Sequence, residues 1–362
     1  MIRRSLVQAV VAVCLFLCVA WWQTSRMSTS VAPLVHVALS GDRAQWRAML
    51  TCINSTLSHA RDASRLRFHV LCTAAECGPL RDYCAAAARA VLCNAVEWVQ
   101  FDAADIETRF GRESVSNSAA RNLSAPHNFA RFYLARWLPA VDKVIWLDND
   151  VIAQRDVALL YDASLRPDDA PPHALAAVVQ RRSLDDSMVR RILLGLEGKP
   201  YGKATTPDGK RPRLLDMRHG AVLQPLIDRL QRCRDSVTAN TADCFHFNAG
   251  VAVYRLDRWR ERNITVAIEE WLLFLADNPA VAVGLTQPPM VFYFWEQVQE
   301  LEWRWNVGSA ADIERMAETN DPVLDEAALL HFNGDGKPWL SSNKRIAALW
   351  RKHAPTEEPP KK

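Results

Sequence analysis

Two carboxylates one residue apart, Asp148 and Asp150, end the run Asp142-Lys-Val-Ile-Trp-Leu-Asp148-Asn-Asp150. The apolar stretch before them, Val144-Ile-Trp-Leu147, reads as a buried strand of a parallel sheet. Open α/β sheets bind ligands outside the carboxyl ends of their strands, so the acids stand where a ligand belongs. Mg2+ and Mn2+ prefer oxygen ligands and share them with substrate phosphates, so the pair suits a metal-bound phosphate. A second run, His331-Phe-Asn-Gly334-Asp-Gly336-Lys337-Pro-Trp339, offers an imidazole at a strand end, two glycines and an ammonium group. It lacks the phosphate-loop spacing, and Pro338 would interrupt the helix such a loop opens. His331 beside the two acids completes a metal site, and Lys337 neutralises charge on a departing phosphate. Between these runs, Phe247-Asn248-Ala-Gly250 gives a sugar hydroxyl a donor and an acceptor from Asn248. Arg131, just upstream of the acidic strand, can grip a phosphate or sugar with two N–H groups.

The surrounding pattern supplies the elements to position them. Strands are expected at Val35–Leu39, Phe68–Cys72, Val96–Phe101, Val144–Leu147, Ala174–Val179, Phe245–Leu256 and Ala328–His331. Helical stretches fall between them at Arg43–His59, at His127–Leu138 behind Pro126, and from a cap at Asp257 through Trp271 to Leu275. Gln287-Pro-Pro289 opens a short aromatic helix. Alternating strands and helices with short connections predict a doubly wound, mainly parallel α/β sheet. Arg181–Thr241, rich in Arg, Gly, Pro and Asp, reads as an insertion over the active face with one helix near Val222–Arg232.

The chain of 362 residues is 49% hydrophobic and 23% charged, ample for a large core. A net charge of +3 without a dense basic stripe gives no footing for nucleic acid. Arg3 and Arg4 precede an uncharged run from Ser5 to Trp22 closed by two indoles, which predicts a single-pass anchor with the remainder in a lumen. A cleaved signal peptide is the competing reading, with Ala20 near the end of the run. Acceptor sequons at Asn54, Asn122 and Asn263 agree with a lumenal address. Outside the anchor lie Cys52, Cys72, Cys77, Cys84, Cys93, Cys233 and Cys244. Their spacing suggests disulfide staples within Cys72–Cys93 and between Cys233 and Cys244, with one thiol left free or joining two chains in an oligomer. The expected plan is a cytosolic tail (1–4), an anchor (5–22), a short stem (23–34), a catalytic domain (35–352) and a disordered tail (353–362).

Together these runs reach a family. Asn128-Phe-Ala-Arg-Phe-Tyr133, Leu138 through Asp156, Phe247-Asn-Ala-Gly250 and His331-x-x-Gly-x-x-Lys-Pro-Trp339 resemble the glycosyltransferase family 8 signature. Gln287-Pro-Pro-Met-Val-Phe-Tyr293 and Leu330-His-Phe-Asn-Gly334 point within it to the galacturonosyltransferase-like branch. The resemblance implies a GT-A fold, a UDP-sugar donor, Mn2+ with Mg2+ as a substitute, retention of anomeric configuration and a Golgi type II membrane address. It implies Asp148, Asp150 and His331 as metal ligands, Gly334 and Lys337 on the diphosphate, and Arg131 and Asn248 on the donor sugar; Gln180 stands after the fifth strand where many members carry an acidic or amide residue, and is counted with the donor-binding residues. Asp42, in Ser40-Gly41-Asp42, takes the place that meets uracil. The acceptor is expected to be a glycan or glycoconjugate, and a donor such as UDP-galacturonate would serve pectin-like synthesis, with Arg181 or Arg182 for its carboxylate. This sequence has Gln287-Pro-Pro where bacterial-type members carry a Gln-Asp pair, and no carboxylate nucleophile emerges. Other readings fit less well. A phosphatase of the haloacid-dehalogenase type places such acids after its first strand, a glycosidase needs its carboxylates farther apart, and a non-catalytic scaffold or lectin would not need the intact set.

Overall fold

The computed structural model describes residues 32–87, 90–104, 106, 126–182, 228, 244–277 and 286–359. Its centre is a seven-stranded sheet in the order β3-β2-β1-β4-β7-β6-β8. The strands are β1 (Val35–Ser40), β2 (Leu66–Thr73), β3 (Val96–Phe101), β4 (Lys143–Leu147), β6 (Leu175–Arg182), β7 (Cys244–Arg255) and β8 (Val298–Glu300). Strands β5 (Val151–Ala153) and β9 (Leu329–His331) form a separate antiparallel pair. The expected mainly parallel sheet is present, with one departure: β7 runs antiparallel to both β4 and β6. A strand buried on both faces carries the same apolar run in either direction, so its sequence gives no orientation.

Alternation along the strands splits the core in two. Val37, Leu39, Ile145, Leu147, Val251 and Val253 face one apolar layer, while Ala38, Val144, Trp146, Ala252 and Tyr254 face the other. A third cluster, with Leu330, Phe332, Ile313 and Trp350, packs beside the β5–β9 pair. Helix α1 (Trp46–His59) follows β1, and α2 (Ala74–Ala87) follows β2.

Several expected elements are reshaped. The single helix foreseen at His127–Leu138 is broken into Pro126–Phe129, a 3-10 turn at Ala130–Phe132 and Leu134–Trp137. At the break Arg131 Nε donates to the Asn128 carbonyl at 3.1 Å, the acceptor a continuous helix would offer Phe132, while its other two nitrogens reach the Ala249 carbonyl and Asp148. The helix expected to be capped by Asp257 starts at Leu256, with Asp257 in its first turn bonded to Arg255. It stops at Glu261 and resumes at Ile264, because Asn263 takes a left-handed φ of 51° that an amide side chain tolerates.

Cys72–Cys77 and Cys84–Cys93 are disulfide-bonded and Cys52 is a buried free thiol. Cys233, and with it the expected pair to Cys244, lies outside the described residues, as does nearly all of the insertion, including all but Asp228 of the expected Val222–Arg232 helix. The expected anchor also lies outside them, and among the described residues no helix is long and apolar enough to cross a membrane. The end foreseen as disordered holds contacts up to Glu358. Arg47 donates to the Pro355 carbonyl at 3.1 Å and pairs with Glu358, and Tyr83 Oη donates to the Glu357 carbonyl at 2.8 Å.

Candidate active site

The acidic pair stands at the junction of the two sheets. Asp148 is the first residue past β4, and its N–H donates to the Gly250 carbonyl of β7 at 2.7 Å. Asn149 and Asp150 turn the chain into β5, whose Val151 lies opposite His331 of β9. Phe332 N–H closes the corner on the Asp150 carbonyl at 3.0 Å. Strand pairing therefore brings the imidazole to the acids across 181 residues of sequence, a separation read as 331 minus 150.

Each side chain in the cluster has one atom anchored and one turned to its neighbours. Asp148 Oδ1 accepts from Trp146 Nε1 at 2.7 Å and from Arg131 Nη2 at 2.8 Å. The Arg131 guanidinium lies over the Trp146 ring at 4.8 Å, and its other arm donates to the Ala249 carbonyl at 3.0 Å. Asp148 Oδ2 is left 3.8 Å from His331 Nε2. Asp150 Oδ2 accepts from Lys337 Nζ at 2.6 Å, while Oδ1 lies 3.4 Å from His331 Nε2. Lys337 Nζ also donates to the Phe332 carbonyl at 3.0 Å. The three ligand atoms of Asp148, Asp150 and His331 lie within 4.8 Å of one another.

The electrostatics fit a cation site. Burial opposes charge on Asp150, yet His331 and Lys337 hold its carboxyl well below the usual carboxylate range. Burial likewise opposes an imidazolium at His331, and Asp150 and Asp148 overcome it to raise the ring above its ordinary value. Two carboxylate oxygens and one imidazole nitrogen form the donor set expected of a hard to borderline divalent ion. Gly250 keeps the cradle open: a Cβ there would sit 2.3 Å from His331 Cε1 and 2.5 Å from Asp148 Oδ2.

The remaining expected residues take varied places. Arg131 spends its fork on Asp148 and Ala249, so it orients a ligand carboxylate before it can grip a phosphate or sugar. Asn248 Oδ1 accepts from Gly250 N–H at 2.7 Å, and the turn is clamped by Gln287, whose Oε1 accepts from Ala249 N–H at 3.0 Å and whose Nε2 donates to Phe247 O. Gly334 takes a φ of 97°, which favours glycine, and its Cβ position is open. Asp42 is half-buried and caps a 3-10 turn, accepting from Ala44 N–H at 3.1 Å. Gln180 sits opposite His246 in the β6–β7 ladder, just past a bulge at Ala177/Val179.

Three site contributors had escaped the sequence reading. Trp146 had a signal, since strand alternation puts it on the same face as Asp148. Asn149, between the acids, donates to the Ser40 carbonyl at 2.8 Å and so joins the acidic turn to the end of β1. Asn306, whose Oδ1 lies 2.9 Å from His331 Nδ1, gave none.

Comparison with known proteins agrees with this architecture. A family model described as glycosyl transferase family 8 matches residues 36–343. Probable galacturonosyltransferase-like 3 of Arabidopsis thaliana is 26% identical over 326 residues, 88% of this chain and 79% of that protein. Glycosyltransferase 8 domain-containing protein 1 of Mus musculus is 26% identical over 327 residues, 88% of this chain and 76% of that protein. Among solved structures, the galactosyltransferase LgtC in complex with donor and acceptor sugar analogs superposes with a TM-score of 0.56 at 19% identity, over 90% of this chain and 98% of that one. That likeness shows the shared GT-A-like fold. The family match takes in every residue of the cluster, and this chain therefore belongs to glycosyltransferase family 8, a family of sugar-transferring enzymes.

Proposed function

We propose that this enzyme moves a hexose or hexuronic acid from a UDP-sugar to a glycan hydroxyl with retention of configuration, using Mn2+, for which Mg2+ can substitute. The observation that carries the reading is the convergence of Asp148, Asp150 and His331 ligand atoms within 4.8 Å, with Lys337 bonded to Asp150 at 2.6 Å. These three residues would hold a divalent ion, which would supply positive charge to the diphosphate. Lys337, whose Nζ is bonded to Asp150, would offset the charge that builds as UDP leaves. Arg131 and Trp146 keep Asp148 turned so that Oδ2, and not Oδ1, faces the cluster. We assign Asn248, on a turn clamped by Gln287, and Gln180 to the sugar, and Asp42 to uracil.

The Gln287 carboxamide is committed to backbone, which leaves it poorly placed as a nucleophile. We therefore favour front-face substitution. The bond from the anomeric carbon to the phosphate oxygen breaks, the bond to the acceptor oxygen forms on the same face, and the departing oxygen takes the acceptor proton. A sugar trapped covalently on any side chain would contradict it.

UDP-galacturonate is the donor we put first, on the likeness to a probable galacturonosyltransferase-like protein. Arg181 and Arg182, opposite Phe245 and Cys244 at the end of β6, are placed to be tested as partners of its carboxylate. We further propose that Ser5–Trp22 anchors the protein in the Golgi membrane with this domain in the lumen. The test is UDP release from a panel of UDP-sugars with Mn2+. Release from one donor that vanishes in Asp150→Ala supports the reading and names the sugar. Release that persists in that variant contradicts it.

A further inference from the structure

Asn306 follows the 3-10 turn Trp303–Trp305 and is 4% exposed. The next residue lays this segment alongside β9: Val307 N–H donates to the Leu329 carbonyl at 3.0 Å, and His331 N–H donates to the Val307 carbonyl at 3.1 Å. That pairing carries the Asn306 side chain to the far side of the His331 ring from the acids.

The two ends of the Asn306 amide can be told apart from their neighbours. One end lies 3.2 Å from the Asn248 main-chain carbonyl, which can only accept, so that end is Nδ2. The other end, 2.9 Å from His331 Nδ1, is then Oδ1, which also only accepts. His331 Nδ1 must therefore carry the hydrogen of this bond. The lone pair available to a metal is thereby assigned to Nε2, the atom that lies 3.4 Å from Asp150 Oδ1 and 3.8 Å from Asp148 Oδ2. A backbone carbonyl in the Asn-Ala-Gly turn thus sets an amide, and the amide sets which histidine nitrogen faces the acids.

We propose that Asn306 is a positioning residue that fixes the His331 ring for metal ligation and fastens it to the Asn248 turn, so that metal site and sugar-facing turn are held as one unit. The inference rests on the metal reading above and adds a residue from outside all the recognised motifs. Partners that orient a metal-binding histidine through its second nitrogen commonly matter nearly as much as the ligand itself. Asn306→Leu removes both bonds. Asn306→Asp keeps an oxygen for His331 Nδ1, and in place of the amide donor it sets an anionic oxygen against the Asn248 carbonyl.

The experiment titrates Mn2+ into full-length protein with UDP present. Paramagnetic resonance follows free Mn2+, and spin-echo modulation reports whether an imidazole nitrogen is bonded to the ion. Asn306→Leu is expected to weaken Mn2+ binding about 10- to 100-fold and to lose the nitrogen modulation. Asn306→Asp is expected to keep the modulation, which a change in fold stability alone would not separate from Asn306→Leu. If Asn306→Leu binds Mn2+ as wild type does with its nitrogen modulation intact, the inference is overturned and the metal reading stands. Loss of the modulation in a folded Asn306→Asp protein overturns it as well. If wild type itself binds no Mn2+, the metal reading fails and this inference with it.

Discussion

Gly250→Ala is the sharpest perturbation the site offers, because one methyl group is aimed at two of the proposed metal ligands. The added Cβ would sit 2.3 Å from His331 Cε1, 2.5 Å from Asp148 Oδ2 and 2.8 Å from His331 Nε2. Ordinary contacts between heavy atoms lie at about 3.5–4.0 Å, so one ligand must retreat by about 1 Å. Neither is free to do so cheaply. His331 is held by Asn306 at 2.9 Å and by the β9 backbone, and Asp148 Oδ1 is held by Trp146 and Arg131. Overpacking of this kind destabilises by about 1–3 kcal/mol. A ligand displaced by about 1 Å is expected to lose on the order of 100-fold in activity. Gly250 lies within β7 and has no left-handed φ, so alanine meets no backbone penalty and the defect is confined to the cluster. The assay is Mn2+-dependent UDP binding beside thermal unfolding of the same protein. A folded Gly250→Ala protein that binds UDP and Mn2+ as wild type does would refute the assignment of this cradle.

Other outcomes follow from the same structure. Burial, with Lys352 and His59 beside it, lowers the His353 pKa to about 4 from 6.5. Its neutral form is thus favoured in the folded protein, so the stability it contributes is complete above pH 6.5 and is lost as pH falls towards 4. The unfolding midpoint should drop over that window, and His353→Gln should flatten the slope; an unchanged slope would count against the assignment. In a eukaryotic secretory host, peptide mass spectrometry should find a glycan at exposed Asn263. It should find none on folded protein at Asn54, whose Nδ2 donates to the His353 carbonyl at 2.8 Å beside buried Ser55 and Thr56.

What was legible in the sequence was the chemistry carried by contiguous runs. The strand ending in Asp148 and Asp150 announced itself through its apolar period, and His331 with Lys337 through residue types packed into one loop. Three features were hidden by non-local causes. The antiparallel course of β7 is set by its pairing with β4 and β6, and the composition of Cys244–Arg255 reads the same in either direction. The broken helix near Arg131 reflects a guanidinium drawn to Asp148 and Ala249, which helical periodicity cannot register. Asn306 reaches His331 only because Val307 pairs beside β9, and nothing around Trp303–Asn306 marks it in advance. Sequons, too, were read as equivalent until folding separated them: Asn54 is engaged by the last helix, and Asn263 is exposed at a turn.

The central claim is that Asp148, Asp150 and His331 hold a divalent ion through which this family 8 enzyme takes up its nucleotide. Calorimetric titration of UDP into the protein tests it most directly, with Mn2+, with chelator, and with Asp150→Ala in Mn2+. Heat of binding is expected only for the unaltered cluster with Mn2+ present. Equal UDP affinity in chelator, or undiminished affinity in Asp150→Ala, would contradict it.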